Sequence, residues 1–229
     1  MRPIAGGVPS IGAAIGEGDF GLGNRRRGLC LVVAAPSGAG KSSIVRGLLG
    51  READVSASVS VTTRAPRPGE VESRDYFFRS VDEFQAMAAG GGLLEHAIVF
   101  GQGYGTPRAP VEAALAAGHD LVLDIDWQGW RQLRTELPGD AVGVFVLPPS
   151  LAVLEARLRG RGSDSQAEVG RRMKAACDEI SHWAEFDHVL VNDELGPCID
   201  TITYILRASR SAVARNLGAA AAAAAMLAE

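Results

Sequence analysis

The chain has 229 residues, of which 47% are hydrophobic and 22% charged, with a formal net charge of −4. That composition predicts one globular domain with a sizeable core and at most a small appendage. The acidic balance argues against a general nucleic-acid-binding protein, which would carry a basic patch, so no nucleic-acid partner is expected. The cysteines are few and widely spaced and give neither a disulfide framework nor a zinc site, which fits a cytoplasmic protein. No stretch is apolar for long enough to cross a membrane.

Both ends of the chain are predicted to lie outside the folded domain. Residues 1–27 contain glycines that interrupt every apolar stretch, and the arginine run Arg25–Arg27 follows these stretches, so no secretory signal pattern is present. We expect a disordered extension that folding does not need, because it can bury little apolar area. At the other end, residues 219–229 form an alanine-rich tail that either continues the last helix or frays.

The intervening residues alternate between strand-like apolar runs and helical patterns. The runs occupy residues 29–34, 120–125, 141–147 and 187–191. This alternation predicts an α/β fold in which helices cover both faces of a parallel sheet. The predicted domain spans residues 28–218, and its core consists of residues 28–55, 107–156 and 183–218.

Two inserts interrupt this predicted core. Residues 56–106 hold short β-like runs, the first at 55–61, and one helix that begins at Ser80, where Ser80 and Glu83 form a capping box. We expect a mostly antiparallel insert there. Residues 157–182 are rich in arginine and helical in pattern, and we expect them to form a mobile lid.

A glycine-rich turn follows the first apolar run. Residues 29–43 read LCLVVAAPSGAGKSS, so a buried strand leads through this turn into a helix. In such a unit the N–H groups of the turn and the helix N-terminus bind phosphates, Lys41 reaches the β- and γ-phosphates, and Ser42 supplies a hydroxyl to Mg²⁺. The ATP-binding residues predicted for this turn are Ala35, Pro36, Ser37, Gly38, Ala39, Gly40, Lys41, Ser42 and Ser43.

The scarcity of lysine strengthens this assignment. Lys41 and Lys174 are the only two lysines of the chain, and arginine supplies every other permanent cation. One departure from the phosphate-loop pattern G-x-x-x-x-G-K-[ST] stands at Ala35, where the first glycine is expected. Alanine fits there if its φ angle is negative.

A second motif lies in the first insert. Residues 60–70 read SVTTRAPRPGE and are followed at residues 75–78 by DYFF. This stretch resembles the acceptor-site motif of the guanylate kinases, S-x-T-T-R-x-P-R-x-G-E…D-Y-x-F. The resemblance covers residues 28–210 and includes the phosphate loop, Glu95, YGT at 104–106, LDIDWQG at 123–129, residues 157–162 and VND at 191–193. Three residues, Ala35, Ser73 and Trp130, depart from the family pattern.

The resemblance implies a P-loop kinase fold and a reaction in which ATP and GMP give ADP and GDP by Mg²⁺-assisted in-line transfer, in purine nucleotide metabolism and GMP recycling. It implies that the catalytic residues are Lys41, Arg64, Arg161 and Arg172, of which the last two close with the lid onto the transferring phosphoryl group. The GMP-binding residues that it implies are Ser60, Arg64, Arg67, Tyr76, Glu95, Tyr104, Thr106 and Asp124. Asn192 joins the ATP site, and Ser42 and Asp126 hold Mg²⁺, partly through water.

The chemistry of the acceptor residues agrees with this resemblance. Arg64 and Arg67 stand beside prolines that stiffen the chain, and their planar guanidinium groups suit a dianionic monophosphate. Tyr76 and Tyr104 are each able to donate a phenolic hydrogen bond to the same phosphate without adding charge.

Glu95 is the residue expected to read the base. It follows two leucines, so we expect it to end a strand that faces the cleft of the insert. A carboxylate accepts two parallel hydrogen bonds, and guanine offers N1–H and N2–H₂ in that geometry, whereas adenine would leave a buried carboxylate unpaired, at about 1–3 kcal/mol or more. Ser60 and Thr106 are expected to donate to the guanine oxygen and a ring nitrogen, and Asp124 to reinforce the contact to the exocyclic amine.

Other functions share parts of these patterns. The segment Asp126–Gly129 matches the D-x-x-G of GTPases, but the guanine-reading Asn-Lys-x-Asp of that class is absent from the sequence. Guanylate-kinase-like domains of scaffold proteins bind phosphopeptides, yet they typically lose the phosphate-loop chemistry that Lys41 and Ser42 retain here. A third alternative is a nucleoside monophosphate kinase with another acceptor, against which Glu95 argues. The sequence leaves open the use of dGMP and the choice between a monomer and a homo-oligomer.

Overall fold

The computed structural model describes residues 26–99, 101–160 and 166–228. Its central sheet is formed by β1 (Cys30–Ala34), β2 (Val55–Ala57), β7 (Asp120–Leu123), β8 (Ala141–Leu147) and β9 (His188–Val191). Within the described residues these strands are all parallel and lie in the order β2-β7-β1-β8-β9. Each of the four predicted apolar runs therefore supplies a strand to one parallel sheet, which confirms the predicted α/β fold.

Helices cover both faces of the central sheet. They are α1 (Lys41–Leu49), α3 (Arg108–Ala116), α4 (Trp127–Glu136), α5 (Leu151–Arg159), α6 (Gln166–Ser181), α7 (Leu195–Arg210) and α8 (Leu217–Met226). On one face Ile44 of α1 and Ile202 of α7 share a buried cluster with Val33, and on the other Leu115 of α3 and Leu133 of α4 share one with Val32. Because successive strand residues point to opposite faces, a strand that is covered on both must be apolar throughout, as β1 is.

The insert after β2 forms a second, smaller sheet. Its elements are β3 (Val61–Thr62), β4 (Phe77–Phe78), α2 (Val81–Ala89), β5 (Leu93–Val99) and β6 (Gln102–Pro107). In the described part of the chain the strand order is β4-β3-β6-β5, with β6 antiparallel to both of its neighbours and β3 parallel to β4. The insert is thus mostly antiparallel.

The helix of this insert begins where the capping box predicts. The Glu83 N–H donates to Ser80 Oγ at 3.2 Å, and the Ser80 N–H donates to Glu83 Oε2 at 2.7 Å. Two N–H groups that the first turn of α2 would leave unpaired are satisfied in this way. The capping prediction is confirmed.

The predicted β-like run at 55–61 is divided between the two sheets. Its first part is β2, which pairs with β7 of the central sheet, and its end belongs to β3, which pairs with β6 of the insert. The Ser58 N–H still donates to the Val122 carbonyl at 2.9 Å, so the insert begins after residue 58 and the predicted boundary at 56 is two residues early. Apolar content shows that a strand forms but not which strand it pairs with.

Arg26 and Arg27, which the sequence assigns to a disordered extension, contact the domain. Two guanidinium nitrogens of Arg26 donate to the buried Asp120 at 2.6 and 2.9 Å, and Arg27 Nε donates to Asp140 at 2.7 Å. Asp120 also accepts from Arg210 Nε at 2.7 Å. The predicted domain boundary at residue 28 is therefore wrong for these two arginines, whose partners lie far away in the sequence. The rest of the predicted extension, residues 1–25, lies outside the described residues.

The second insert and the tail also differ in detail from the expectation. Helix α5 runs to Arg159, so the predicted start of the lid at 157 falls in its last turn, and residues 161–165 lie outside the described residues. The alanine-rich tail forms the separate helix α8, which Asn216 caps by accepting from the Ala219 N–H at 2.9 Å. None of the described helices is long and apolar enough to cross a membrane.

We expect the substitution Arg26→Ala to lower the free energy of unfolding by about 1–3 kcal/mol, because buried Asp120 loses a bidentate charged partner. Arg51→Ala is the matched control, since Arg51 pairs with Asp200 where both side chains are exposed and such pairs contribute about 0–1 kcal/mol. Urea denaturation measures both variants. Equal losses would contradict a structural role for Arg26.

Candidate active site

The phosphate loop connects the end of β1 to the start of α1. Gly38 and Gly40 have φ angles of 97° and 100°, in the left-handed region where a side chain is strained. Among the described residues, Ser73 is the one non-glycine residue with a positive φ, so Ala35 has a negative φ, as the sequence requires. The departure at Ala35 is therefore compatible with the loop conformation.

The N-terminus of α1 presents backbone donors at this loop. Its N-cap is Gly40, and no side chain caps the helix. The Asn192 amide donates to the Ala39 carbonyl at 2.7 Å, and a side chain at Gly40 would collide with the same amide. The buried Asn192, predicted to belong to the ATP site, thus fixes the backbone of the loop through the Ala39 carbonyl.

Lys41 forms an ion pair inside the site. Its Nζ contacts Oδ1 of Asp124, the residue that follows β7. Because β1 and β7 are parallel neighbours, the segments that leave their carboxyl ends meet at one edge of the sheet. Sequence reasoning assigned Asp124 to the base of the acceptor, and the structure adds this contact with the phosphate-loop lysine.

Asp126 caps the helix that follows it. Its Oδ1 accepts from the N–H groups of Gln128 and Gly129, both at 2.9 Å, so these two bonds leave Oδ2 available. Ser42, the other predicted metal-binding residue, lies exposed in the first turn of α1. Among the described residues, no group of three or more His, Cys, Asp and Glu side chains could hold a metal on its own.

The predicted phosphate-binding residues of the acceptor lie together. Arg64 stands 5.3 Å from the ring centroid of Tyr76, and the rings of Tyr76 and Tyr104 are 6.2 Å apart. The Arg64 guanidinium also donates to Glu70 Oε1 at 2.8 Å. Arg67 joins the group through its backbone N–H, which donates to Glu70 Oε2 at 2.7 Å. Ser60, also predicted to bind the acceptor, is half-buried just before β3.

Glu95 is a buried carboxylate at the predicted base-binding position. It lies opposite Thr106 in the β5–β6 pair, and Thr106 Oγ1 donates to Glu95 Oε1 at 2.6 Å. A Cβ added to Gly129 would lie 2.9 Å from Glu95 Oε2, so the glycine leaves room for this oxygen beside α4. Burial, and secondarily the charge of Asp126, raises the pKa of Glu95 to about 7, although the Thr106 bonds oppose the shift.

Helix α6, which lies in the predicted lid, approaches the phosphate loop at Glu179, a residue that sequence reasoning missed. Burial raises the pKa of Glu179 and the charges of Asp126 and Asp178 add to the rise, whereas the charge of Lys41 and the backbone of Ser37 lower it. Arg172 lies two helical turns earlier and therefore on the same side of α6, where it pairs with Glu168 at 3.7 Å. Arg161, the other predicted lid arginine, lies outside the described residues. The spacing of two helical turns between Arg172 and Glu179 is the sequence signal that could have identified Glu179.

An aromatic contact fixes the end of α6 against the start of α4. The ring of His182 stacks on Trp127 with centroids 3.6 Å apart, and Arg131 covers Trp127 at 4.5 Å. Glu185 then accepts from Arg131 Nη2 at 2.6 Å and contacts His182 Nδ1 at 2.7 Å. Helix α6 is thereby tied to α4, the helix that Asp126 caps.

We expect the stability effect of Glu95→Gln to depend on pH. The pKa of Glu95 rises from 4.5 to about 7 on folding, so its contribution to stability is complete below pH 4.5 and is lost as the pH rises through 7. The neutral amide should therefore raise the free energy of unfolding by about 3 kcal/mol more at pH 8 than at pH 4.5. Urea denaturation at the two pH values measures this difference.

The control for this comparison is Glu112→Gln, on the exposed face of α3. It should change the free energy of unfolding by no more than about 0.5 kcal/mol at either pH. A Glu95→Gln effect that is the same at both pH values would contradict a protonated Glu95 in the folded protein.

Known proteins share this sequence and fold. The family model for guanylate kinase matches residues 27–209. The chain is 61% identical over 191 residues to the guanylate kinase of Gluconobacter oxydans, covering 83% of this chain and 92% of that one. It is 59% identical over 191 residues to the guanylate kinase of Granulibacter bethesdensis, covering 83% and 89%. The crystal structure of guanylate kinase from Anaplasma phagocytophilum matches with a TM-score of 0.67 and 36% identity, covering 84% of this chain and 91% of that one. The chain therefore belongs to the guanylate kinase family and is a kinase.

Proposed function

We propose that the protein transfers the γ-phosphoryl group of ATP to GMP, giving ADP and GDP, with Mg²⁺ as the metal and purine nucleotide metabolism as the setting. The observation that carries the proposal is the buried pair of Glu95 and Thr106, which lies beside Gly129 of α4. Gly129 belongs to the same short segment as Asp124, which contacts the phosphate-loop lysine. Relatives of this chain that are named guanylate kinase support it.

On the donor side, the phosphate loop would bind the phosphates of ATP. The left-handed glycines Gly38 and Gly40 and the N-terminus of α1 without a side-chain cap offer backbone N–H groups to an anion. Lys41 would move from Asp124 to the β- and γ-phosphates. The Glu179 carboxylate, whose charge interacts with that of Lys41, would be repelled by the phosphates of ATP, so α6 would shift when ATP binds.

On the acceptor side, the phosphate and the base of GMP would be recognised by separate groups of residues. Arg64 and Arg67 with the two tyrosines would bind the monophosphate. The ionised Glu95 would accept from N1–H and N2–H₂ of guanine, with Thr106 held beside it, and Ser60 would donate to the base. Adenine has no donor at N1, so it would leave the carboxylate unpaired, at about 1–3 kcal/mol or more. These proposed contacts are to the phosphate and the base and not to the ribose, which is compatible with dGMP as a second acceptor.

The metal would be held by few protein groups. The hydroxyl of Ser42 and Oδ2 of Asp126, which the two capping bonds do not use, are hard oxygen donors. Such donors suit Mg²⁺, an ion that keeps several waters and shares its shell with substrate phosphates. When bound, Mg²⁺ supplies positive charge to the β- and γ-phosphates during transfer. Arg161 and Arg172 would add cations to the transferring group as the lid closes, which also excludes water.

A coupled assay of ADP release with GMP, dGMP, AMP, CMP and UMP tests the proposal. Turnover should require ATP, Mg²⁺ and a guanine nucleotide. A chain that binds these nucleotides without releasing ADP, or that prefers AMP, would contradict the proposed reaction.

The donor site is tested by comparing the two lysines of the chain. Lys41→Ala should lower kcat by about 100-fold or more and change the Kd of GMP by no more than about threefold, because its charge acts on the phosphates of ATP. Lys174→Ala removes an equal charge from an exposed position on α6 and should leave both constants near those of the parent. Near-normal turnover by Lys41→Ala would refute the phosphate-loop role.

A further inference from the structure

A carboxylate stands inside the cation cluster of the acceptor site. Glu70 accepts from the Arg64 guanidinium with one oxygen, at 2.8 Å, and from the Arg67 N–H with the other, at 2.7 Å. The Glu70 side chain is only 5% exposed and that of Arg64 14%. The Glu70 N–H also donates back to the Arg67 carbonyl at 3.0 Å, which closes a tight turn through Gly69, whose φ is 89°.

The negative charge of Glu70 is unfavourable beside a bound phosphate unless it positions the arginines that bind that phosphate. A carboxylate repels the phosphate that the arginines would bind, so its presence calls for a compensating effect. Arginine loses much rotamer freedom when it is fixed in one geometry, and a partner that fixes it beforehand removes that cost from binding. Glu70 is bonded to the side chain of one arginine and to the backbone of the other, so it sets their relative position.

We propose that Glu70 is a positioning residue that holds Arg64 and Arg67 in the arrangement that binds the phosphate of the acceptor nucleotide. The inference rests on the proposed function, because it assumes that this cluster binds the monophosphate of GMP. The Arg64 bond, against the opposing effect of burial, lowers the pKa of Glu70, so the carboxylate stays ionised while it performs this role.

The opposite role is that Glu70 occupies the phosphate position and competes with the ligand for Arg64. The two roles predict effects of opposite sign. Removing a positioning residue weakens GMP binding, whereas removing a competitor strengthens it. The variant Glu70→Gln separates them, because its amide accepts from only one of the two donors and turns an N–H toward the other.

The same loop offers a matched control in Glu72. This carboxylate accepts from the Phe78 N–H at 2.9 Å and pairs with Arg79 at 2.9 Å, and the pKa of its carboxyl is also lowered, first of all by the Phe78 bond. Glu72→Gln therefore changes net charge and loop chemistry to the same extent as Glu70→Gln, but at bonds to other partners.

The experiment measures binding of GMP and of guanosine to the full chain and the two variants. Glu70→Gln should weaken GMP by about 10- to 100-fold and change guanosine by less than about threefold, because a lost charge-assisted bond affects only the phosphate. Glu72→Gln should leave both ligands within about threefold of the parent. Equal weakening of both ligands by Glu70→Gln, or tighter GMP binding, would overturn the proposal.

A double-mutant cycle with Arg64→Ala provides the second readout. If Glu70 acts through Arg64, Glu70→Gln should weaken GMP binding much less in the Arg64→Ala background than in the parent. Additive effects would overturn the proposal. If Glu70→Gln does not fold, Glu70→Asp, which keeps the charge on a shorter side chain, enters the same cycle with the same expected coupling. If the parent chain binds GMP no better than guanosine, the proposed function itself fails, which the variants alone would not indicate.

Discussion

The parallel pairing of β1 with β7 is the constraint on which the site depends. It brings the loop that follows β1 beside the segment that follows β7, so that Lys41 meets Asp124. Two residues later, Asp126 caps α4 through the Gly129 N–H, and Gly129 in turn leaves space for Glu95 of the insert. One short segment therefore connects the phosphate loop to the proposed base-reading carboxylate. A shift in the β1–β7 register would disturb both at once.

Charged groups of the site pair with other residues of the chain. Lys41 pairs with Asp124, and Arg64 pairs with Glu70. In the proposed reaction the Glu70 contact would keep Arg64 near the acceptor phosphate, which reduces reorganisation on binding, whereas Lys41 would leave Asp124 for the phosphates of ATP. Glu95 differs, because the hydrogen bond described for its side chain comes from the neutral hydroxyl of Thr106 and not from a charged group. Burial raises the pKa of Glu95 to about 7. Ionisation of Glu95 thus lowers the free energy of unfolding, at the residue that would select the base.

Local patterns predicted local structure well. The apolar run of β1 and the Ser80 capping box became a buried strand and a helix start, because apolar content and capping chemistry act over a few residues. The departure flagged at Ser73 coincides with a positive φ of 64°, where glycine would be unstrained. The bulky Trp130 is accommodated because Gly143 faces it, and a Cβ there would lie 2.6 Å from the indole ring.

Long-range partners were not predictable from the same patterns. Arg26 pairs with Asp120, which is 94 residues away, and no local pattern in the sequence marks this contact. Glu179 of α6 interacts with Lys41 of the phosphate loop, and its helical spacing from Arg172 is the one sequence signal for it. The resemblance to guanylate kinases named the acceptor residues, and the structure brings Arg64, Tyr76 and Tyr104 together. It did not indicate that Glu70 stands among them, because a motif gives identity and order but no hydrogen-bond partners.

The most direct test of Glu95 as the reader of guanine is its own titration. In protein labelled with ¹³C-glutamate, the carboxyl resonance of Glu95 is assigned by its loss in Glu95→Gln. Without ligand it should titrate with a midpoint of about 7. Saturating GMP should lower that midpoint by about one unit or more, because two guanine donors favour the ionised carboxylate. A midpoint that GMP leaves unchanged would contradict recognition of the base by ionised Glu95.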